Sequence, residues 1–284
     1  MTAILSWNIQ WGQGCDGRVD LGRIAAVVAN MGGADILCFQ EVTRFYPEVD
    51  GRGADQVAHL GALLPGYAAI FGPAVDRLGE GNAPRRQFGN LILSRLPVSQ
   101  AFVHPLPQPA QGGIKHMPRA AVEATVETPE GPLRIVTMHL EYHSARQRAA
   151  QIARVRALHA EVAVNAATPP LDPGQGIYAA PVRPASAVLC GDLNLLPGDS
   201  EYAALFAPFD DGTPPLKDAW RVARADEPHP PSCGLFDRAQ WPEGGHCRDY
   251  FAVTPDVAAR VRSIECDVRA DASDHQPVRI VLGD

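Results

Sequence analysis

Six places in this sequence put an oxygen- or nitrogen-bearing side chain at the end of a short apolar run. Asn8 follows Ile4-Leu5-Ser6-Trp7, Gln40 and Glu41 follow Ile36-Leu37-Cys38-Phe39, and His139 follows Ile135-Val136-Thr137-Met138. Asp192 and Asn194 come after Val188-Leu189-Cys190-Gly191, Asp249 precedes Tyr250-Phe251-Ala252-Val253, and Ser273-Asp274-His275 precedes Val278-Arg279-Ile280-Val281. The ends of sheet strands are where a rigid scaffold presents side chains to solvent. Taken singly, a strand-end Asp or Asn is an ordinary turn former, and a lone His is an ordinary structural residue. Six runs that all end in the types used for hard-metal binding and proton handling point to one shared chemistry.

That chemistry is displacement at phosphorus. Attack on a phosphoester builds charge on the nonbridging and leaving oxygens, which a divalent cation and cationic hydrogen-bond donors can neutralise. Mg²⁺, or Mn²⁺, needs only one or two carboxylates and an amide oxygen, because it keeps several waters. Glu41, Asn8 and Asp274 are suitable donors. A carboxylate such as Asp192 can orient and deprotonate the attacking water. An imidazolium held by a carboxylate can stabilise the transition state, and His275 with Asp249 is the natural pair.

Short β-branched runs over Ala3–Trp7, Asp35–Gln40, Ala68–Phe71, Gly89–Ser94, Ala121–Val126, Leu133–Met138, Ala187–Cys190, Tyr250–Val253 and Val278–Leu282 predict strands. Helical periodicity predicts helices over Asp20–Met31, Ala54–Leu64 and from the N-cap Ser144 to about Ala167, the last presenting Ile152, Val155, His159 and Val162 on one face. Strands outnumber helices and several follow one another directly, which predicts a mixed α/β sandwich rather than a doubly wound sheet. Pro/Gly-rich stretches at 76–88, 104–119, 168–186 and 226–247 are expected to wall a substrate cleft. None breaks the composition like a linker, so one domain over 1–284 is expected.

A hydrophobic share of 46% with 20% charged residues suits a compact protein with a sizeable core. No run reaches the ~18 apolar residues of a membrane-spanning helix, and Met1 leads straight into a strand-like run, so the expected location is the cytoplasm. The six cysteines form no CxxC pair, which argues against a zinc ribbon or a disulfide framework. A net charge of −7 gives a field that repels polyanions. No run of basic residues interleaved with aromatics marks a nucleic-acid track. No protein partner is implied.

The segments Ser6-Trp7-Asn8-Ile9, Cys38-Phe39-Gln40-Glu41, Gly191-Asp192-Leu193-Asn194, Arg248-Asp249-Tyr250-Phe251 and Ser273-Asp274-His275, in this order, resemble the endonuclease/exonuclease/phosphatase superfamily. The resemblance runs from Asn8 to His275. It implies a four-layer α/β/β/α sandwich, two mixed sheets packed face to face with helices outside. It further implies Glu41 as the principal metal ligand helped by Asn8, and Asp274 at or near the metal. Asp192 would activate the water with Asn194 beside it on the phosphate, His139 and His275 would contact the phosphate, and Asp249 would hold His275. Asn90 matches a family strand near the site. Arg119, Arg146, Arg148 and Tyr142 are candidate substrate contacts, Arg being suited to phosphate.

Two departures bear on substrate. Gln10 stands where the abasic-site repair branch carries an Asp, and Met138-His139-Leu140 replaces that branch's Tyr-x-x-Asn element. The pattern is similar to the deoxyribonuclease, sphingomyelinase and phosphatase branches. The expected activity is a phosphodiesterase on nucleic acid or a phospholipid headgroup, with a phosphomonoesterase on inositol phosphates or nucleotides as the alternative. A non-catalytic binding protein on the same scaffold would show damage at the core positions, and none is visible.

Overall fold

The computed structural model describes residues 1–172 and 174–283. In chain order its strands are β1 (Thr2–Asn8), β2 (Ile36–Arg44), β3 (Ala68–Arg77), β4 (Arg86–Ser94), β5 (Val98–Pro105), β6 (Ala120–Thr128), β7 (Gly131–His139), β8 (Ala187–Asp192), β9 (Lys217–Asp218), β10 (Asp249–Val253), β11 (Val261–Cys266) and β12 (Val278–Leu282). Its helices are α1 (Leu21–Asn30), α2 (Pro47–Asp50), α3 (Gln56–Leu63), α4 (Ala145–Ala167), α5 (Ser200–Phe206), α6 (Ala219–Arg224) and α7 (Pro255–Ala258). Side-chain oxygens of Asp20, Asp55 and Ser144 cap α1, α3 and α4 by accepting from the first-turn N–H groups of Gly22, Ala58 and Gln147.

The strands form two six-stranded sheets, ordered β11-β12-β1-β2-β4-β3 and β5-β6-β7-β8-β10-β9. Strand alternation then divides the apolar residues among three interfaces. Ile4, Ile36, Cys38 and Ile92 meet Val122, Ile135, Val188, Cys190 and Phe251 between the sheets. Leu5, Trp7, Leu37 and Phe39 point the other way, onto Ile24 and Val28 of α1 and Leu60 of α3. Val136, Met138 and Leu189 face outward onto Ile152 and Val155 of α4 and Leu205 of α5. Three apolar interfaces separate four layers, so the chain is the expected α/β sandwich. Each fully buried aliphatic side chain contributes roughly 1.5–3 kcal/mol.

The structure enlarges the expected elements. β3 and β4 extend toward each other, leaving only 78–85 of the expected 76–88 loop. β5, β9 and β11 carry too few apolar residues in alternation to stand out in the sequence. The 168–186 stretch, expected as a cleft wall, lies elsewhere: Val182 and Pro184 carbonyls accept from Thr125 and Arg134, at the end of the second sheet remote from Asp192. Pro173 within that stretch lies outside the described residues. No helix among the described residues is long and apolar enough to cross a membrane.

Candidate active site

Register assembles most of the site. In the second sheet His139 pairs with Asp192 across β7–β8, and Asp192 pairs with Asp249 across β8–β10, so the three stand abreast. They share the parity of Ile135, Cys190 and Phe251 and therefore face the opposing sheet. In the first sheet Asn8 pairs with Gln40 across the parallel β1–β2 pair, on the parity of Ile4 and Cys38. Glu41 has the wrong parity for that face. The β2–β4 register shifts between Phe39 and Val42, and Glu41 takes a left-handed φ of 58°, which turns its carboxylate in beside Asn8. Among the described residues five non-glycines have positive φ, and Gln10, Trp11, Glu41 and Asn194 of these line the cleft described below. Such backbone strain concentrates at functional sites. Gly191 must be glycine: at φ 137° a Cβ would lie 1.9 Å from the Met138 carbonyl oxygen.

Asn8 links the two sheets through its amide nitrogen, which donates to Glu41 Oε1 at 3.1 Å and to Asp192 Oδ2 at 3.0 Å. Its Oδ1 accepts from the Gln10 N–H. As placed, Asn8 offers the site donors rather than the ligand oxygen expected of it. Asp192 Oδ2 also lies 3.2 Å from His139 Nε2 and 3.6 Å from His275 Nε2, while its Oδ1 accepts from the Asn194 N–H. His275 Nδ1 donates to Asp249 Oδ2 at 2.9 Å, and Ser232 Oγ donates to the same oxygen. Asp274 Oδ2 accepts from Trp241 Nε1 and Gln240 Nε2, both at 3.2 Å.

Burial would lower the His275 imidazole, but Asp249, Asp192 and Asp274 outweigh it and hold the group well above its usual range. Burial raises Asp249 to about 6, and the proton between the two stays on the imidazole. His139 is the opposite case: burial, with Arg119 nearby, pushes it down to about 3, so it is neutral at pH 7 and can donate through Nε2–H to Asp192. Burial also pushes Asp192 up, and the neighbouring imidazoles and the Asn8 amide hold it below the ordinary carboxylate range.

Burial and the facing Asp274 carboxylate raise Glu41 to about 7. A half-buried and a buried carboxylate facing each other, neither in an ion pair with an Arg or Lys among the described residues, suit a hard divalent ion. Asp192, Asp249 and His275 also bring three ligand atoms within 4.8 Å of one another. There, however, an imidazole kept protonated by its carboxylate neighbours has no lone pair to give a metal, and the Glu41–Asp274 side is the better fit.

These groups floor a cleft of about 460 Å³. Its walls come from two of the expected loops: Lys115, His116, Met117 and Arg119 on one side, Gln240 and Trp241 on the other. Trp11 and Tyr142 complete them, Tyr142 standing edge-on to Trp241 with ring centroids 5.6 Å apart. Arg119 is buried, gives Nε to Glu141 and leaves Nη1 without a partner. Asn194 lines the cleft, although its amide nitrogen donates to the Leu140 carbonyl. Five candidates do not line the cleft: Asn8 and Asp249 stand behind it, bonded to groups that do, and three more lie off it. Asn90 donates to the Ala120 carbonyl from β4, Arg146 to Ala110, and Arg148 to Glu141, Tyr142 and Glu201, so local carbonyls and a carboxylate take donors expected for phosphate. Ser232, Gln240 and Glu141 escaped the sequence reading because irregular loops give no period to mark them, whereas Trp241 stood out as an indole that could floor a pocket or pack in the core, and it lines the cleft.

A sequence profile described as the Endonuclease/Exonuclease/phosphatase family matches residues 5–275. No curated protein matches the sequence. Among solved structures, an endonuclease/exonuclease/phosphatase from Beutenbergia cavernae DSM 12333 is 26% identical, with a TM-score of 0.71 over 99% of this chain and 72% of that one. A mannosyl-6-phosphatase from Bacteroides thetaiotaomicron VPI-5482 is 19% identical, with a TM-score of 0.65 and full coverage of both chains. TDP2 from C. elegans is 20% identical, with a TM-score of 0.65 over 100% of this chain and 75% of that one. At such identity the last two speak for the fold alone.

Proposed function

The chain belongs to the endonuclease/exonuclease/phosphatase family, whose members hydrolyse phosphoester bonds, and from that premise we propose a divalent-metal-dependent phosphodiesterase working as one domain over 1–284. The observation that carries this reading is the convergence of Glu41, Asn8, Asp192 and His275 from four strands or strand ends: Asn8 hydrogen-bonds both Glu41 and Asp192, and His275 forms an ion pair with Asp192 at 3.6 Å.

Glu41 and Asp274 would hold Mg²⁺ or Mn²⁺, which when bound would neutralise charge developing on the phosphoryl oxygens. Asp192 is ionised and can take a proton from the attacking water through the oxygen it turns toward His139 and His275. The Asn194 N–H and Asn8 amide fix the direction in which Asp192 points. His275, kept protonated by Asp249, donates from Nε2 to a phosphoryl oxygen, and neutral His139 lies alongside. Arg119 lines the cleft as a substrate contact, and Tyr142 gives the cleft an apolar wall.

Positive charge at the floor of the cleft is limited to the His275 imidazolium, since His139 is neutral, Arg119 is already paired with Glu141 and Lys115 stands on the wall. A monoanionic diester suits that balance better than a dianionic monoester. The cleft volume supports a second reading, a monoesterase on a small phosphorylated molecule such as an inositol phosphate or nucleotide. Purified protein assayed on bis-p-nitrophenyl phosphate and p-nitrophenyl phosphate, with Mg²⁺ or EDTA, separates them. Faster diester cleavage abolished by EDTA is expected. Faster monoester cleavage selects the second reading, and hydrolysis indifferent to EDTA refutes both.

A further inference from the structure

Asp249 uses one carboxylate oxygen and leaves the other bare. Oδ2 takes both the His275 and the Ser232 hydrogen bonds, while Oδ1 is buried with no partner among the described residues. Asp249 does not line the cleft; it lines a separate small cavity of about 10 Å³, together with Ser232, Asp218, His229, Trp220 and Tyr250. His229 presents a second bare atom there. Its side chain is only 3% exposed; Nε2 lies 2.6 Å from Asp218 Oδ2, and Nδ1 is buried without a partner. Tyr202 Oη donates to the same Asp218 oxygen, and the Trp220 N–H bonds Asp218 Oδ1, so the Asp218–His229 pair is fixed in place.

The bare atoms complement one molecule. With Nε2–H donating to Asp218, His229 Nδ1 is an acceptor, and Asp249 Oδ1 is an acceptor too. Two acceptors cannot bond each other, and burying both unsatisfied is costly. A water has two protons, one for each, and the cavity volume is close to the ~10–15 Å³ that one water needs. We infer that this cavity is a structural water site and that His229 acts through that water as a positioning residue for Asp249. The hydrogen-bonded line then runs Asp218, His229, water, Asp249, His275, and an ion pair carries it on to Asp192. A carboxylate gripped at Oδ1 as well as Oδ2 cannot rotate away from His275, which extends the reach of the proposed reaction centre to a helix cap at the far side of β10.

The test has one arm that needs no activity. A high-resolution crystal structure of the unsubstituted protein is expected to show a water within about 3.2 Å of both His229 Nδ1 and Asp249 Oδ1. A dry cavity, or either atom turned to another partner, overturns the inference. The second arm compares two variants, and its kinetic part rests on the phosphodiesterase reading. His229→Gln keeps a polar atom at the Nε2 position against Asp218 and loses the one at Nδ1; His229→Asn does the reverse. His229→Gln is expected to lower kcat on the order of fivefold, the worth of about one neutral hydrogen bond, with KM unchanged. It should also move the proton resonance of His275 Nδ1–H, and His229→Asn should recover most of both effects. Identical behaviour of the two variants, or a change in KM alone, refutes the positioning role. Absence of any hydrolysis would refute the functional reading while leaving the water and the resonance to be judged by themselves.

Discussion

Replacing Asp249 by Asn removes one charge at almost constant shape, and the geometry sets how much turnover should fall. At the 2.9 Å separation of His275 Nδ1 and Asp249 Oδ2, Coulomb's law with an effective dielectric of about 20 gives roughly 6 kcal/mol for an imidazolium–carboxylate pair. Desolvation of the buried carboxylate offsets part of this, and an Asn oxygen would still accept a hydrogen bond worth about 1 kcal/mol. A net loss of roughly 3 kcal/mol remains, which corresponds to a fall in kcat on the order of 100-fold. The sign of the pH effect follows: Asp249 is the chief group raising His275, so without it the imidazolium deprotonates at lower pH and the alkaline limb of the rate profile moves down. Steady-state kinetics on bis-p-nitrophenyl phosphate from pH 5 to 10, with melting temperatures as a control, would read both. A folded Asp249→Asn enzyme that keeps a third or more of wild-type kcat, with its alkaline limb unmoved, would show that His275 does not work as a carboxylate-held donor.

Asp192→Ala and His275→Ala should each lose on the order of 100-fold or more in turnover while melting at the wild-type temperature, and activity in both would sink the assigned roles. Glu41 is raised to about 7 and must be ionised to bind a cation. Mg²⁺ affinity measured by calorimetry should therefore weaken as pH falls through 7, with proton release on binding at pH 6.5; a flat affinity from pH 6 to 8 would contradict this. Glu123 tests stability away from the cleft. Burial would raise it, but His104, Arg183 and Arg134 hold it at about 2. A depressed carboxyl stabilises the fold above its unfolded value near 4.5 and loses that contribution as pH falls toward 2. Glu123→Gln should thus cost about 3 kcal/mol at pH 7, with the gap in melting temperature closing between pH 4.5 and 2.

Much of the site was legible because strand alternation is a strict rule. Asn8, His139, Asp192 and Asp249 all extend a run whose inward parity is set by core residues such as Ile4, Ile135, Cys190 and Phe251, so periodicity carried them to the right face. Glu41 broke that rule. Strict alternation puts it with Leu37 and Phe39 against the helices, and only the bulge at 40–41 brings it inward, which the family resemblance supplied and spacing could not. Asn8 was found, but the direction of its amide was not, because orientation depends on the Gln10 N–H created by a positive-φ turn. Arg146 and Arg148 looked like phosphate ligands from their place after His139, and nothing in their spacing reveals that carbonyls of neighbouring loops take their donors. Gln240 and Trp241 lie in an aperiodic segment, where three-dimensional position is set by tertiary contacts alone.

The register that sets Gln40 beside Asn8 also gives the two sheets another polar tie beneath the Asn8–Asp192 bond. Gln40 of β2 donates to Thr137 Oγ1 of β7 at 2.8 Å, and to Ser6 and the Cys38 carbonyl, from a fully buried position. With the Asn8 and Asn90 bonds it pins two sheets that meet mostly through apolar surfaces, just beneath a centre whose proposed cation-binding groups ride on one sheet and whose proposed water-activating carboxylate rides on the other. A misalignment of about 1 Å can cost a hundredfold in rate. Inherited changes at residues such as Ile92 or Val122, which never meet substrate, are therefore filtered by turnover as well as by foldedness. Diversification of this protein is consequently freer at its rim than along its seam.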